Sequence, residues 1–390
     1  MIGFRKKDGK VYAVLSGRID SSNAPEAEAE LLQGLEGVEE PVFDLEKLEY
    51  ISSAGLRVLM KVRKRSGKAL EMIGASQEIY EILETTGFTE LFKVSKKMRE
   101  ISVEGCPVIG KGFYGTVYRI DEETIVKVYS SPDCLDMIRN EKKLARTALV
   151  AGVPTAISYD IVKVGDSYGS VFELLNAVTF GDMLAEQPEN CEAIVKQYAE
   201  FMRLVNSQSL PQGKLRSAKE IFSGYLEAVR GLLDEALYLR LKELLMGVPE
   251  QNTLIHGDAQ MKNIMIGNGE PMLIDMDTLC QGHPIFDLQS VFVTYFAFEE
   301  DDPDNSMSFL GVSNQVAEKV WRSFPGYYFA TGDQVRLSQL WDKISIVGCI
   351  RFLFLIHDGS EDSSGIYSLR VKHTVERLRA LSARVDDLRF

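Results

Sequence analysis

One segment of the chain brings together residue types that suit the transfer of a phosphoryl group. In Leu254–Ile266, an apolar run leads into His256, Gly257 and Asp258, and Asn263 follows five residues after Asp258. Such a transfer needs a carboxylate near the acceptor hydroxyl and an amide oxygen on a metal ion, both on one rigid loop. The alternative is a polar turn between two strands, but it does not explain why these types occupy these positions. We therefore predict that this loop is catalytic.

A second apolar run, Met272–Ile274, ends in Asp275, and Asp277 follows two residues later. Mg²⁺ prefers a few carboxylate or amide oxygens together with phosphates. We therefore predict that Asp275 is the principal Mg²⁺ ligand. Asp277 is either a second ligand or a group that orients the site.

A glycine-rich segment lies far upstream of these carboxylates. Gly110, Gly112 and Gly115 have a spacing that lets a hairpin lie close over phosphates and offer them backbone N–H groups. The same spacing occurs in the dinucleotide-binding loop of Rossmann folds, where a helix follows. Here Thr116–Ile120 has the pattern of a strand, which disfavours the Rossmann interpretation.

A lysine and a glutamate follow the glycines. Lys127 is flanked by β-branched residues of a predicted strand, and Glu141 lies on the predicted helix Cys134–Val150. The kinase interpretation has Lys127 binding the α- and β-phosphates, with Glu141 as its ion-pair partner. Taken alone, Lys127 could be a solvated strand lysine, and any helix carries glutamates. The order of all these signals along one chain is what favours the kinase interpretation.

The elements that must position these residues fall into three predicted parts, with boundaries at 1–98, 99–175 and 176–390. Short strands and helices alternate in the first part, which predicts a small α/β domain. The second part reads as a small β-rich lobe. The third is mostly helical, with strong helical patterning in Cys191–Asn206 and Ile221–Leu245.

Composition narrows the classes of protein. The formal charge is −13, and this excess of acidic over basic residues does not favour nucleic-acid binding. The first 98 residues carry 15 basic and 16 acidic residues and the remainder 29 and 41, so the larger part is acidic and would suit a cationic substrate. The five cysteines show no metal-ligand spacing, and no apolar run is long enough to span a bilayer. We expect a cytoplasmic protein without a membrane segment.

The order of the glycine segment, the lysine, the glutamate, His-Gly-Asp-x4-Asn and Ile-Asp-x-Asp resembles the aminoglycoside phosphotransferase/choline kinase branch of the protein-kinase-like fold, over about residues 104–390. The resemblance implies a bilobal enzyme that uses ATP and Mg²⁺. It implies that Asp258 is the catalytic base and that Asn263 and Asp275 bind Mg²⁺. Lys127 and Glu141 would position ATP in the interlobe cleft, which we expect to be the main pocket, with Lys127 and Asp275 facing each other across it.

The same resemblance assigns supporting roles. His256 would support the loop without doing chemistry, Asp287 would brace the loop, and the backbone at Glu173 and Leu175 would meet the adenine edge. Gly257 stands where protein kinases have the arginine of His-Arg-Asp, and Asp-Met-Asp replaces Asp-Phe-Gly. These departures favour a small-molecule acceptor over a protein acceptor.

The N-terminal run Val42–Leu59 resembles the STAS domain, the fold of bacterial anti-sigma-factor antagonists, and the match covers about residues 8–95. By this resemblance Ser53 falls on the serine that is phosphorylated in the family, and the domain would bind a regulatory protein. The alternative for Ser53 is an ordinary helix N-cap. Where the family often has aspartate before that serine, this chain has Ser52, which weakens the regulatory interpretation.

Three functions are consistent with these motifs. The first is a kinase that phosphorylates a small-molecule hydroxyl and carries a regulatory STAS module. The second is a serine kinase that modifies Ser53 in cis or in trans. The third is an inactive protein that binds nucleotide and a partner, although the presence of Lys127, Asp258, Asn263 and Asp275 argues against it.

Overall fold

The computed structural model describes residues 2–7, 9–66, 70–112, 115–131, 133–174, 177–267, 269–357 and 365–390. The chain divides into two compact units. One consists of Met1–Ser102 and Ile161–Asp166, and the other of Val103–Asp160 and Ser167–Phe390. The buried apolar side chains form two separate clusters, one for residues 13–92 and one for residues 144–388.

The first unit contains a five-stranded sheet in the order β1-β2-β3-β4-β5, in which β1 and β2 are antiparallel and the remaining neighbours parallel. Parallel neighbours need crossover connections, which the helices provide. The strands are β1 (Ile2–Lys7), β2 (Lys10–Ile19), β3 (Val42–Ile51), β4 (Glu71–Ala75) and β5 (Lys93–Lys96), and the helices are α1 (Ala24–Gly34), α2 (Ser53–Ser66), α3 (Gln77–Thr85) and α4 (Phe88–Leu91).

A second five-stranded sheet has the order β6-β7-β8-β10-β9, and two small sheets, β11-β13-β14 and β12-β15, follow later in the chain among helices. The strands are β6 (Val108–Gly112), β7 (Gly115–Arg119), β8 (Thr124–Tyr129), β9 (Asp160–Val164), β10 (Ser167–Glu173), β11 (Ala177–Thr179), β12 (Thr253–Ile255), β13 (Ile264–Gly267), β14 (Glu270–Leu273) and β15 (Cys280–Gly282).

Most helices of the second unit follow β10 in the chain. They are α5 (Leu135–Val150), α6 (Phe180–Glu186), α7 (Cys191–Val205), α8 (Ala218–Ala228), α9 (Glu235–Met246), α10 (Ile285–Phe292), α11 (Asn305–Leu310), α12 (Asn314–Tyr328), α13 (Gln334–His357) and α14 (Ile366–Ser382). A π-helix, Val293–Ala297, continues α10, and short 3₁₀ turns occur at Pro188–Asn190, Arg230–Leu232, Met261–Asn263 and Met276–Thr278.

The predicted fold class, a small α/β domain followed by a β-rich and then a helical part, is confirmed. The segment Ile221–Leu245, for which the sequence predicts strong helical patterning, forms two helices, α8 and α9. The chain turns at Arg230–Leu232, and Asp234 then caps α9 by accepting a hydrogen bond from the Leu237 amide. Strand β1 was not predicted, since Arg5, Lys6 and Lys7 give it a charged, exposed pattern. Among the described residues, no helix has the length and apolar content to cross a membrane.

Candidate active site

The loop between β12 and β13 carries Asp258 and Asn263, and the structure brings these two side chains together. Asn263 donates from Nδ2 to Asp258 Oδ2 at 2.9 Å and to the Asp258 main-chain oxygen at 2.8 Å. Both amide hydrogens are thus directed to Asp258, which leaves the Asn263 Oδ1 available as an acceptor. The loop therefore presents a carboxylate and an amide oxygen side by side.

Asp287, on α10, holds this loop from beneath. It is 1% exposed. Its Oδ1 accepts from the Gly257 amide at 2.8 Å, and its Oδ2 accepts from the His256 amide at 3.2 Å and from Asn206 Nδ2 at 2.8 Å. Burial raises the pKa of Asp287. These hydrogen bonds lower it but do not offset the effect of burial, so the pKa is raised. The position matches the bracing role that the sequence predicted for this residue, although the role itself stays a prediction.

Further side chains support the loop, and the sequence analysis missed them. The Tyr328 hydroxyl donates to Asn206 Oδ1 at 2.9 Å, the Tyr295 hydroxyl accepts from the Met261 amide at 3.2 Å, and the Tyr198 hydroxyl donates to the Ala259 carbonyl. All three tyrosines are buried. They lie on three different helical segments, so no local motif connects them to the loop. The loop is fixed by a network of neutral groups as well as by Asp287.

His256 lies on the inner side of the loop, fully buried. Its Nδ1 accepts from the Asp258 amide at 3.3 Å, and its Nε2 lies 3.0 Å from the Ile274 carbonyl oxygen. A ring that accepts at one nitrogen and donates at the other is a neutral imidazole with its proton on Nε2. His256 thus connects the loop to Ile274, the residue before Asp275, which agrees with a supporting role.

Gly257 is required by the backbone at the head of the loop. Its φ is +88°, and a Cβ at this position would lie 2.8 Å from the Thr278 carbonyl oxygen. L-residues rarely adopt such a φ. A side chain in this position, such as the arginine that protein kinases have there, would collide with the segment that follows Asp275.

Lys127, on β8, reaches two carboxylates. Its Nζ lies 2.8 Å from Asp275 Oδ1 and 3.6 Å from Glu141 Oε1. Burial lowers the pKa of Lys127, but the attraction of Glu141, Asp275 and Asp277 outweighs it, so the pKa is raised. Lys127 is thus closer to Asp275, which was predicted to face it across the cleft, than to Glu141, its predicted ion-pair partner.

Asp275 and Asp277 form the carboxylate-rich side of the site. Asp275 adopts a left-handed backbone conformation (φ 60°, ψ 65°), which is costly for a residue other than glycine and is common at functional sites. Burial, reinforced by Asp275 and Glu141, raises the pKa of Asp277 to about 6. Asp275 Oδ2 and Asn263 Oδ1 have no hydrogen-bond partner within the described ranges. Oxygen donors of this kind fit a Mg²⁺ ion.

The glycine segment forms the hairpin of β6 and β7. Gly112 pairs with Gly115 across its tip, and Gly110 pairs with Val117. Phe113 and Tyr114 lie outside the described residues. A Cβ on Gly115 would lie 2.2 Å from the Val128 carbonyl oxygen, so the hairpin packs directly against the backbone of β8. A side chain at Gly115 would therefore collide with the backbone of β8.

The predicted adenine-binding segment is described only in part. Glu173 is exposed at the end of β10, opposite Thr124 of β8. The next amide, that of Leu174, donates to the Glu123 carbonyl oxygen at 2.6 Å. Leu175, the other residue predicted to meet adenine, lies outside the described residues.

With this geometry established, the comparisons with known proteins identify the family. Residues 105–312 match the family model described as "Phosphotransferase enzyme family". The chain belongs to this phosphotransferase family. The matched range contains Lys127, Glu141, Asp258, Asn263 and Asp275, and the predicted resemblance is confirmed.

Solved structures similar to this phosphotransferase include an apo thermostable mutant of aminoglycoside phosphotransferase APH(4)-Ia. That chain is 13% identical, with 72% of the present chain and 97% of that chain covered and a TM-score of 0.45. A choline/ethanolamine kinase family protein from Mesorhizobium loti is 13% identical, with 71% and 87% covered and a TM-score of 0.45.

The phosphotransferase also carries a STAS domain, since residues 4–101 match the STAS family model. BtrV of Bordetella bronchiseptica, which bears the name of an anti-sigma factor antagonist, is 38% identical over 94 residues. These residues are 23% of this chain and 81% of BtrV. The predicted resemblance of this part is confirmed as well.

In the STAS domain, the structure corrects the N-cap interpretation of Ser53. The side chain of the preceding residue, Ser52, caps α2, because its Oγ accepts from the Ala54 amide at 3.2 Å and from the Gly55 amide at 3.4 Å. Ser53 is the first residue of α2 and is exposed. Its hydroxyl has no hydrogen bond in the part of the chain that the structure describes. Two adjacent serines made the cap ambiguous from sequence.

A cavity of about 540 Å³ lies in the helical part of the phosphotransferase, between aromatic and charged side chains that include Phe296, Trp321 and His373. None of the predicted site residues lines it, so it differs from the interlobe cleft that we expected to be the main pocket. Beside it, Glu300 is paired with Arg377 and Asp301 with His373.

Proposed function

We propose that this protein transfers the γ-phosphoryl group of ATP, with Mg²⁺, to a hydroxyl group of a small molecule in the cytoplasm, and that its STAS domain is a regulatory module. The observation that carries the proposal is the Asp258–Asn263 pair on its braced loop. A base beside an amide oxygen, held rigidly, is the arrangement that phosphoryl transfer from a metal-bound nucleotide requires.

The residues divide the work as follows in this proposal. Asp258 accepts the proton of the acceptor hydroxyl, whose oxygen forms a bond to the γ-phosphorus while the bond from that phosphorus to the β–γ bridging oxygen breaks, giving ADP. Asn263 and Asp275 would hold Mg²⁺, which would neutralise phosphate charge when bound. Lys127 would bind the α- and β-phosphates, and the backbone of Gly110, Gly112 and Gly115 would cover them.

The acidic surplus of the second part of the chain favours a cationic acceptor, because opposite charge raises the local concentration of a substrate. The test is transfer of phosphate from radiolabelled ATP to a panel of aminoglycosides, choline-like amines and neutral sugars. We expect Asp258→Asn to reduce transfer by roughly 10³-fold while binding of a non-hydrolysable ATP analogue is retained. A wild-type protein that binds the analogue but phosphorylates nothing would support an inactive nucleotide-binding protein instead.

A second candidate function rests on Ser53. Because Ser52 caps α2, the Ser53 hydroxyl is exposed and free to accept a phosphoryl group. A phosphate at the first residue of a helix is stabilised by the helix dipole. We propose that this site is a candidate for modification by the same kinase, in cis or in trans, with a change in binding of a regulatory protein as the consequence.

Mass spectrometry after incubation with Mg²⁺ and ATP tests the second function. Phosphate on Ser53 that disappears in both Ser53→Ala and Asp258→Asn would establish self-modification. Phosphate that persists in Asp258→Asn would point to another kinase, and an unmodified chain would leave the small-molecule function alone.

A further inference from the structure

Tyr129 lies next to the Lys127–Glu141 pair and is not part of any motif discussed so far. It follows Lys127 by two residues on β8, so both side chains leave the same face of the strand. Its hydroxyl donates to Glu141 Oε2 at 2.7 Å. Tyr129 is 2% exposed, and the Lys127 ammonium lies 5.3 Å from the centre of its ring. The hydroxyl therefore reaches Glu141 in an environment that excludes water.

The neighbouring strand completes the environment of this hydroxyl. Ser170 of β10 pairs with Lys127 across the sheet, so its side chain lies on the same face. The Ser170 Oγ lies 3.4 Å from the Tyr129 hydroxyl, and Ser170 is 3% exposed. Burial and the nearby Glu141 carboxylate both raise the pKa of Tyr129, so the hydroxyl stays protonated and remains a donor.

Glu141 thus has a separate partner for each carboxylate oxygen. Oε2 accepts from Tyr129, and Oε1 faces Lys127 at 3.6 Å. Lys127 has a closer partner in Asp275, at 2.8 Å. If Asp275 turns to another ligand, Glu141 is the one carboxylate of the described residues that remains within ion-pair distance of Lys127. The hydrogen bond from Tyr129 fixes the orientation of that carboxylate.

We propose that Tyr129 is a positioning residue that holds Glu141 so that Lys127 stays directed into the nucleotide site when Asp275 is engaged elsewhere. This inference rests on the proposed function, in which Lys127 binds nucleotide phosphates. A hydrogen bond to a charged group is stronger than one between neutral groups, and its loss leaves the carboxylate free to rotate.

The experiment is isothermal titration calorimetry of the full chain with AMP-PNP and Mg²⁺. We expect Tyr129→Phe to raise the Kd roughly tenfold, the effect of one charge-assisted hydrogen bond. The control is Tyr118→Phe. Tyr118 lies on the adjacent strand β7, opposite Val126, and its hydroxyl has no hydrogen bond to any residue in the described ranges. We expect this variant to bind like the wild type.

A double-mutant cycle with Glu141→Ala separates positioning from a general structural effect. If Tyr129 acts through Glu141, Tyr129→Phe has little further effect on the Kd once Glu141 is absent. An equal loss in both backgrounds, or a Tyr129→Phe variant that binds like the wild type, would overturn the inference. A wild-type protein that does not bind AMP-PNP would instead contradict the proposed function, so the two failures are distinguishable.

Discussion

The catalytic loop and the start of α2 are two places where phosphate chemistry is proposed, and they are built in opposite ways. The loop is largely buried. Its backbone amides donate to Asp287, Tyr295 and His256, and the Tyr198 hydroxyl donates to the Ala259 carbonyl. At the start of α2, Ser52 is the one side chain among the described residues that hydrogen-bonds the first turn, and Ser53 is exposed.

The difference reflects two requirements. A catalytic base must be held in a fixed position, whereas a serine that becomes phosphorylated must be accessible to the kinase. A catalytic base gains from a position that is set before the substrate arrives, because no reorganisation is then needed during the reaction. A serine that receives a phosphoryl group must instead enter another site, so contacts to its hydroxyl would only have to be broken. The comparison predicts large effects of substitutions beneath the loop and small ones at the helix start.

The largest effect is expected at Asp287. Asp287→Ala removes the acceptor of three buried donors, from Asn206, His256 and Gly257, and should lower the free energy of unfolding of the second unit by about 4 kcal/mol. Urea unfolding followed by tryptophan fluorescence measures this, since both tryptophans, Trp321 and Trp341, belong to that unit. The exposed Asp386→Ala is the control and should change stability by less than about 0.5 kcal/mol.

His283, which precedes α10, tests how the element that carries Asp287 is anchored. Burial lowers the pKa of His283 to about 4, and its Nδ1 accepts from the Ile285 amide at 3.2 Å. The folded protein disfavours protonation of His283. The stabilisation that neutral His283 contributes is therefore fully present above the unfolded pKa near 6.5, and it is lost as the pH falls toward 4. This loss should be about 3 kcal/mol, measured by the same unfolding assay.

The matched variant for that measurement is His283→Asn, which keeps an acceptor but cannot be protonated in this range. Its free energy of unfolding should fall by clearly less between pH 7 and pH 4.5 than that of the wild type. Parallel curves for the two proteins would show that His283 does not titrate as its burial implies.

Gly257→Ala tests the head of the loop. The new alanine would have to adopt a φ of +88°, and its Cβ would lie 2.8 Å from the Thr278 carbonyl oxygen. Gly269 has a similar φ of +82° but open space around it, so Gly269→Ala carries the backbone strain without the collision. We expect Gly257→Ala to be less stable than Gly269→Ala by about 2 kcal/mol. Equal losses would mean that the loop can shift to accommodate a methyl group.

The smallest effects are expected at α2. Ser52→Ala removes the cap and should destabilise the helix start by about 1 kcal/mol, whereas Ser53→Ala should change it by only a few tenths. Hydrogen exchange of the Ala54 and Gly55 amides, read by mass spectrometry, reports this difference. Faster exchange in Ser53→Ala than in Ser52→Ala would reverse the roles of the two serines and weaken the comparison.

Sequence patterns predicted most features that are confined to one continuous segment of the chain. The spacing of Asp258 and Asn263 placed both on one loop, and the strand pattern around Lys127 placed it on β8. It could not predict Asn206, Tyr328 or Tyr295, because these come from separate helical segments and meet the loop only through the packing of the second unit.

Two details that the sequence left open have a local cause. The start of α2 was uncertain by one residue because either serine has the chemistry of a cap, and only the backbone decides which one does. The segment 221–245 keeps a helical pattern across Arg230–Leu232, although Asp234 starts a new helix there. Periodicity of apolar residues persists through such a turn, so the capping residue is the better signal.

The π-helix at Val293–Ala297 determines which direction Tyr295 faces. Asp287 and Tyr295 both contact the catalytic loop, yet eight residues of regular α-helix would rotate the second side chain about 80° beyond two full turns. Because the π-helix has more residues per turn, each of its residues rotates the chain by less than about 100°. Tyr295 therefore points in nearly the same direction as Asp287. An insertion of one residue here would therefore lengthen the helix only slightly but turn Tyr295 away from the Met261 amide by about 100°. We expect this stretch to tolerate changes of side chain far better than insertions.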